Sequence, residues 1–344
     1  MAGLSSVPVE QNMAVGQLLL KKIRVGDSQK DKVDAVIKEP SVTLTFFGDM
    51  MLDRSVKKMI DINGADFIFE NLFSESSSTL FASDIISANL EGPFANSRRP
   101  TTKSIAFRFD PKLISTLQKY KFNIFSQANN HSYDMGADAF EESKENLKNE
   151  GLDFYGSQYR VDDDSLLIKD VNGVKVAFLG FNDTNSAIDL KKAKELITKV
   201  HADAELVVVN AHWGYEYKPI SNPNQRYLAH LFVDWGADVI IGHHPHVIQE
   251  MEVYKNRPIF YSLGNFVFDQ YFSAETQEGL AIKINFNSEK LSLSVWPLRS
   301  VKSQAQLMNK SAADNYLKSW LKNSRLGNND FVNNTLSLDL APNT

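Results

Sequence analysis

From Ser41 onward the chain repeats one pattern. A short apolar, β-branched run of strand length ends in Asp, Asn, His or Gly, and a stretch with apolar residues three and four apart often follows. The runs are Val42 to Phe47, Asp84 to Ala88, Phe122 to Gln127, Val174 to Leu179, Leu206 to Val209, Asp238 to Ile241 and Pro258 to Leu263. Helical spacing occupies Pro111 to Tyr120, Ala139 to Asn149 and Gln225 to Trp235. Strands alternating with helices predict a layered α/β fold. Later, Gly279 to Phe286 and Leu291 to Pro297 alternate like two antiparallel strands, and Ala312 to Leu321 reads as a closing amphipathic helix. A mixed sheet or paired sheets would accommodate both behaviours. No internal repeat, low-complexity tract or linker interrupts the pattern, so one domain is expected over 41–330, with an extension at 1–40 and a tail at 331–344.

The extension holds one apolar run, Ala14 to Leu20, followed rather than preceded by Lys21, Lys22 and Arg24. That is the reverse of a signal peptide, and the run is far short of the ~20 apolar residues of a membrane-spanning helix. The expectation is a soluble chain, either cytoplasmic or separated from an anchor upstream.

Composition narrows the chemistry more than the fold. With 344 residues, 43% hydrophobic and 23% charged, the chain is large enough to bury a core without cross-links. It contains no Cys, which excludes disulfides, thiolate zinc sites and thiol nucleophiles, so a metal site must use His, Asp, Glu and Asn. A formal net charge of -5 offers no overall attraction to nucleic acid, and none is expected as a partner.

The candidate chemistry sits where the expected strands stop. Six clusters end six different runs: Gly48-Asp49, Asn89-Leu90-Glu91-Gly92, Asn129-Asn130-His131 with Asp134, His212-Trp213-Gly214 with Glu216 and Tyr217, Gly242-His243-His244-Pro245-His246, and Gly264-Asn265-Phe266. Of seven histidines, all but His201 and His230 fall in these clusters. Ligands of α/β sheets gather outside the strand carboxyl ends, so residues placed there converge. Carboxylate, amide and imidazole together suit a divalent transition metal. His244 and His246, two apart in an extended segment, would face the same cavity. His230, inside an apolar helical pattern, reads as an ordinary core histidine, and Arg54 and Lys103 as solvated charges. Trp213 and Tyr217, flanking His212 and Glu216, read equally as a substrate-contacting wall or as packing.

These motifs, in this order over Val42 to about Asp269, resemble the bacterial capsule-synthesis proteins of the poly-γ-glutamate type, the CapA-like or PGA_cap family. Phe47-Gly48-Asp49-Met50-Met51-Leu52, Ala88-Asn89-Leu90-Glu91-Gly92, Gly242-His243-His244-Pro245-His246 and Tyr261-Ser262-Leu263-Gly264-Asn265-Phe266 carry most of the likeness. The resemblance implies a four-layer α-β-β-α sandwich of two mixed β-sheets, of the calcineurin-like metallophosphatase type. It further implies one or two divalent ions, with Mn, Fe or Zn favoured over Mg. Asp49, Asn130, His212, His244 and His246 match ligand positions, and Glu91 stands where the superfamily carries an Asp motif. Met51 stands where a His is usual, which leaves the ion count open. His131 matches the substrate-facing His, and Asp134 either orients it or caps the loop before Gly136. Trp213, Glu216, Tyr217, His243 and Asn265 are the expected substrate contacts. The implied function is metal-dependent hydrolysis of a phosphoester-type bond in poly-γ-glutamate capsule biosynthesis or export, on an anionic small-molecule or polymer substrate and beside membrane components of the capsule machinery. The alternative is a non-catalytic, metal-containing component that binds or anchors the polymer.

Overall fold

The computed structural model describes residues 40–340 apart from 289 and 333; the Ala14 to Leu20 run lies outside them. In chain order the strands are β1 (Ser41–Met50), β2 (Ile85–Leu90), β3 (Ile124–Ser126), β4 (Asp153–Tyr155), β5 (Leu166–Val171), β6 (Val174–Asn182), β7 (Leu206–His212), β8 (Val239–His243), β9 (Met251–Tyr254), β10 (Arg257–Phe260), β11 (Asn265–Val267), β12 (Glu278–Asn287), β13 (Lys290–Val301), β14 (Gln304–Leu307) and β15 (Thr335–Asp339). The α-helices are α1 (Arg54–Asn63), α2 (Glu70–Ser76), α3 (Ile114–Lys119), α4 (Ala137–Asn149), α5 (Leu190–His201), α6 (Pro223–Asp234) and α7 (Lys310–Asn323).

Two mixed sheets result. One runs β14-β13-β12-β1-β2-β3-β4, with β11 paired to β1 and β15 to β13; the other runs β5-β6-β7-β8-β10-β9. Between them lies an apolar layer built from Leu44 and Phe46 of β1, Val176 and Phe178 of β6, Leu206 and Val208 of β7, and Ile282 and Ile284 of β12. The opposite faces are also covered. Phe47, Ile86 and Phe125 pack with Val56 of α1, Leu72 of α2 and Leu117 of α3, while Val207 and Val209 pack with Ile197 of α5 and Phe232 of α6. Strands buried on both faces explain why their sequences read as continuous apolar runs instead of alternating ones. The order helix, sheet, sheet, helix is the expected four-layer sandwich.

The short strands β4 and β11, three residues each, carry too few residues to show a period. β5 is half exposed at a sheet edge. β15 falls in the stretch expected to be a tail, yet Leu336 and Leu338 are buried and pair opposite Leu293 and Leu291 of β13. The pairing there is long-range, so only the tertiary structure reveals it. Among the described residues no helix is long and apolar enough to cross a membrane.

One irregularity positions the site. The β1–β2 register slips between Phe46 and Asp49, and a Cβ at Gly48 would lie 2.0 Å from the Gly264 carbonyl oxygen. Only glycine fits, and its absence of side chain lets the Asp49 N–H reach that same carbonyl at 3.0 Å. A bulge at a strand end re-aims the following side chain, here Asp49, into the crevice.

Candidate metal centre

β1 is parallel to β2, β2 to β3, and β7 to β8, so their carboxyl ends deliver Asp49, Asn89 and Glu91, Asn130, His212 and His243 from two sheets into one crevice. Asn89 is a hub. Its amide nitrogen donates to Asp49 Oδ1 at 2.9 Å and to Glu91 Oε1 at 3.2 Å, and its oxygen accepts from Asn129 Nδ2 at 3.1 Å. Asp49 also accepts from His243 Nδ1 at 3.1 Å and the His244 N–H at 3.2 Å, and its Oδ2 lies 3.2 Å from His246 Nδ1. The His212 Nε2 lies 2.7 Å from Asn130 Oδ1.

Two groups of donor atoms lie within 4.8 Å of one another: Asp49, Glu91 and His212 in the first, Glu216, His244 and His246 in the second. Donors about 2.0–2.2 Å from one cation stand roughly 3–4 Å apart, so this spacing is near the requirement. Buried atoms without a partner strengthen the fit. Glu91 Oε2 and His244 Nδ1 have no hydrogen bond among the described residues, and orphaned buried acceptors of this kind are costly unless a cation or water meets them.

Tautomers follow from the hydrogen bonds. The Asn265 amide nitrogen already donates to Gln270 Oε1 at 3.0 Å and the Thr276 carbonyl at 2.8 Å, so its oxygen must accept from His246 Nδ1 at 3.0 Å. Nδ1 of His246 therefore carries the proton and Nε2 keeps its lone pair, the arrangement that a metal-ligating imidazole needs. His244 and His246 face the crevice for a reason other than strand alternation. Both sit in the left-handed region, at φ 95° and 57°, with ring centroids 5.9 Å apart. Such backbone is unfavourable for residues with a Cβ and persists only where its surroundings impose it.

The electrostatics are those of a cation site. Burial raises the pKa of Asp49, but hydrogen bonds and charge from His243 and His246 overcome it and hold the carboxyl well below its usual range. Glu91 is pushed well up, by burial first and then by the Asp49 carboxylate. Burial, followed by neighbouring histidines, lowers His212 and brings His244 down to about 3, so both imidazoles are neutral and available as ligands at neutral pH.

Beside the donors, His131 Nδ1 lies 2.7 Å from Asp134 Oδ2, which also accepts the Phe107 N–H at 2.7 Å. Asp134 Oδ1 accepts from Lys103 Nζ at 2.5 Å. Asp134 orients the imidazole, and Lys103, expected to be a solvated charge, is its counter-ion. Arg54 is likewise fixed: it pairs with the Asp269 carboxylate and lies 5.3 Å over the Phe107 ring, whose centroid is 4.3 Å from that of His131.

The expected substrate contacts divide. Tyr217 and Glu216 are exposed beside the donors, with the Tyr217 ring 6.2 Å from that of His246, and Glu216 joins a donor group. His243 meets protein groups with both ring nitrogens, Asp49 Oδ1 at one and Asn210 Nδ2 at 3.1 Å at the other, so in this structure it braces Asp49. Asn265 positions His246 in the same way. Trp213 is fully buried: its indole N–H donates to the Tyr261 carbonyl at 2.8 Å and its ring packs with Phe232 and Tyr261 behind the sheet. The aromatic wall of the site comes instead from Phe107 and Phe268, the latter 4.8 Å from His246. Asn89 and Asn129 were legible only as part of their motifs; nothing in the sequence marks them as the hydrogen-bonding hub.

A two-sheet α/β sandwich carrying a His, Asp, Glu and Asn donor set at its strand ends is the class that fold and site define. The profile of the family described as "Bacterial capsule synthesis protein PGA_cap" matches residues 43–270, and the chain belongs to this family. A capsule biosynthesis protein CapA of Bacillus anthracis is 36% identical over 67% of this chain and 60% of its own length. A PGA biosynthesis protein CapA of Bacillus subtilis is 35% identical over 67% of this chain and 64% of its own length. The match thus spans less than two thirds of those relatives. Among solved structures, a phosphatase from Mycoplasma pneumoniae superposes with a TM-score of 0.48 at 14% identity, covering 73% of this chain and 89% of that one.

Proposed function

We propose that this chain is a metal-dependent hydrolase of a phosphoester or related bond that serves poly-γ-glutamate capsule biosynthesis or export. The capsule connection rests on the CapA relatives. The observation that carries the hydrolase reading is the buried donor set itself, above all Glu91, a wholly buried acid with one unpartnered oxygen. In this reading Asp49, Glu91, Asn130, His212, His244 and His246 hold one or two divalent ions, with Glu216 at the exposed side. Such an ion lowers the pKa of a water towards neutrality and polarises a phosphoryl oxygen.

The remaining work falls to the chain. Asp134 accepts the Nδ1 proton of His131, which leaves Nε2 to give a proton to a departing oxygen. Burial holds the His131 pKa below its ordinary value although Asp134 counters it, so donation from Nε2 requires the imidazolium, which a neighbouring substrate anion would favour. Phe107 and Phe268 restrict water around that transfer. Lys103 neutralises Asp134, and Arg54 places a guanidinium at the rim, where it suits an anionic substrate.

The test is elemental analysis of purified protein beside the His244→Ala/His246→Ala variant, with phosphomonoester and phosphodiester assays. Mn, Fe or Zn lost in the variant together with its turnover supports the proposal. Metal without turnover on any phosphoester transfers the site to holding the anionic polymer; no metal after reconstitution ends both readings.

A further inference from the structure

A cavity of about 410 Å³ opens beside the donor residues, lined by Tyr217, by Val247, which follows His246, and by Tyr316 and Trp320 of α7. Its charged lining is acidic, with Glu250, Glu275 and Glu278 and no Lys, Arg or His. Glu250 is satisfied from outside the cavity, by the Ser221 hydroxyl at 2.5 Å, the Ser221 N–H at 3.0 Å and Arg325 Nη1 at 3.2 Å. The other two carboxylates are held loosely. Glu278 has a long contact of 3.4 Å to the half-exposed Arg299, and exposed Glu275 draws its hydrogen bonds from its own backbone and Ser273. Burial, then Glu278 and Glu275, pushes the Tyr316 phenol up, so its hydroxyl stays protonated within the field of both.

Aromatic side chains beside an excess of carboxylates, with no cationic side chain in the lining, form an environment that attracts an organic cation: ring faces carry negative quadrupoles that attract its charge, and Glu275 and the weakly paired Glu278 can accept its N–H donors. We propose that this cavity binds an organic ammonium group, a primary amine on a short aliphatic chain. The volume is in the range of small-molecule sites. The turn that carries Glu275 and Glu278 is joined to the donor residues, because the Thr276 carbonyl accepts from Asn265 at 2.8 Å and Asn265 accepts from His246 at 3.0 Å. An ammonium seated here therefore adjoins whatever occupies the neighbouring crevice. The inference goes beyond the hydrolase reading and does not require it, since none of the six expected metal ligands lines the cavity.

The probe is 1,4-diaminobutane, titrated at low ionic strength into chelator-stripped full chain and followed by tryptophan fluorescence and calorimetry, with 1,4-butanediol as the neutral isostere. Trp320→Phe assigns the optical signal among the four tryptophans. The expected result is saturable binding of the diamine and none of the diol. Loss of both carboxylate acceptors should raise the midpoint at least ~10-fold in Glu275→Gln/Glu278→Gln. The single Glu275→Gln, at an exposed position, should raise it several-fold without risk to folding. No saturable binding, equal binding of the diol, or an unchanged midpoint in these variants overturns the proposal. Metal content of the same variants stays at wild-type level, so failure here and failure of the hydrolase reading are told apart.

Discussion

His131 Nδ1 and Asp134 Oδ2 lie 2.7 Å apart, and the other oxygen of Asp134 accepts from Lys103 Nζ at 2.5 Å. The carboxylate sets the ring's tautomer and orientation, and the lysine holds the carboxylate in place through its other oxygen. Asp134→Asn keeps the shape and loses the charge. On the proposed mechanism it should lower kcat on a phosphodiester probe by about 10²–10⁴, the usual range of general acid–base catalysis, while metal content is unchanged. Loss of metal with retained turnover would show that this pair serves the fold alone.

Glu91 should behave oppositely in metal-free and metal-loaded protein. Without metal, Glu91→Gln removes a buried acid that lies close to Asp49, and thermal stability should equal or exceed that of wild type. With metal at about 100 times its Kd, wild type should gain about 2.7 kcal/mol, and the variant should lose most of that gain. Calorimetric scans with and without added Mn or Zn read both effects; an equal metal-dependent rise in Tm would remove Glu91 from the ligand set.

Gly48 admits no side chain because the Gly264 carbonyl occupies the position of a Cβ, 2.0 Å away. The obstacle is backbone and cannot rotate aside. Gly48→Ala should cost roughly 1–3 kcal/mol or more of unfolding free energy, as overpacking does. It should also weaken metal binding, since Asp49 follows it directly. Urea unfolding and metal titration of the same variant check the two; a stability change below ~0.5 kcal/mol would mean that β1 and the 264 turn separate easily.

Away from the crevice, Glu252 accepts from His230 at 3.0 Å, Tyr261 at 2.7 Å, and Arg325 at 3.0 and 3.2 Å. Burial raises its pKa, and these partners together bring it below the ordinary 4.5. A carboxyl depressed by folding contributes stability that is present above its unfolded pKa and lost as pH falls through the folded one. The stability difference between wild type and Glu252→Gln should therefore be greatest above pH ~5 and shrink towards pH ~3. A difference that grows on acidification would contradict the hydrogen-bond assignment.

Hydrophobic patterning determined most of the architecture. β1, β2, β3, β6, β7, β8 and β10 lie over apolar runs, because strands buried on two faces need continuous apolar sequence, and the polar residues that end those runs mark the crevice; β12 and β13 lie over the alternating segments. Patterning could not reach β4, β11 or β15, which exist through pairing with strands distant in sequence. Residue chemistry likewise indicated Asp49, Glu91, His212, His244 and His246, since such residues rarely cluster at buried strand ends without a task. What it could not decide was the role of each neighbour. Whether a histidine faces the crevice or supports another residue depends on which atoms its two nitrogens meet. In the structure His243 bonds to Asp49 and Asn265 to His246, Trp213 lies in the core, and Lys103 pairs with Asp134. Sequence distributes residue types along the strands; only packing assigns each donor atom its partner, because hydrogen bonds are short and directional while sequence spacing is neither.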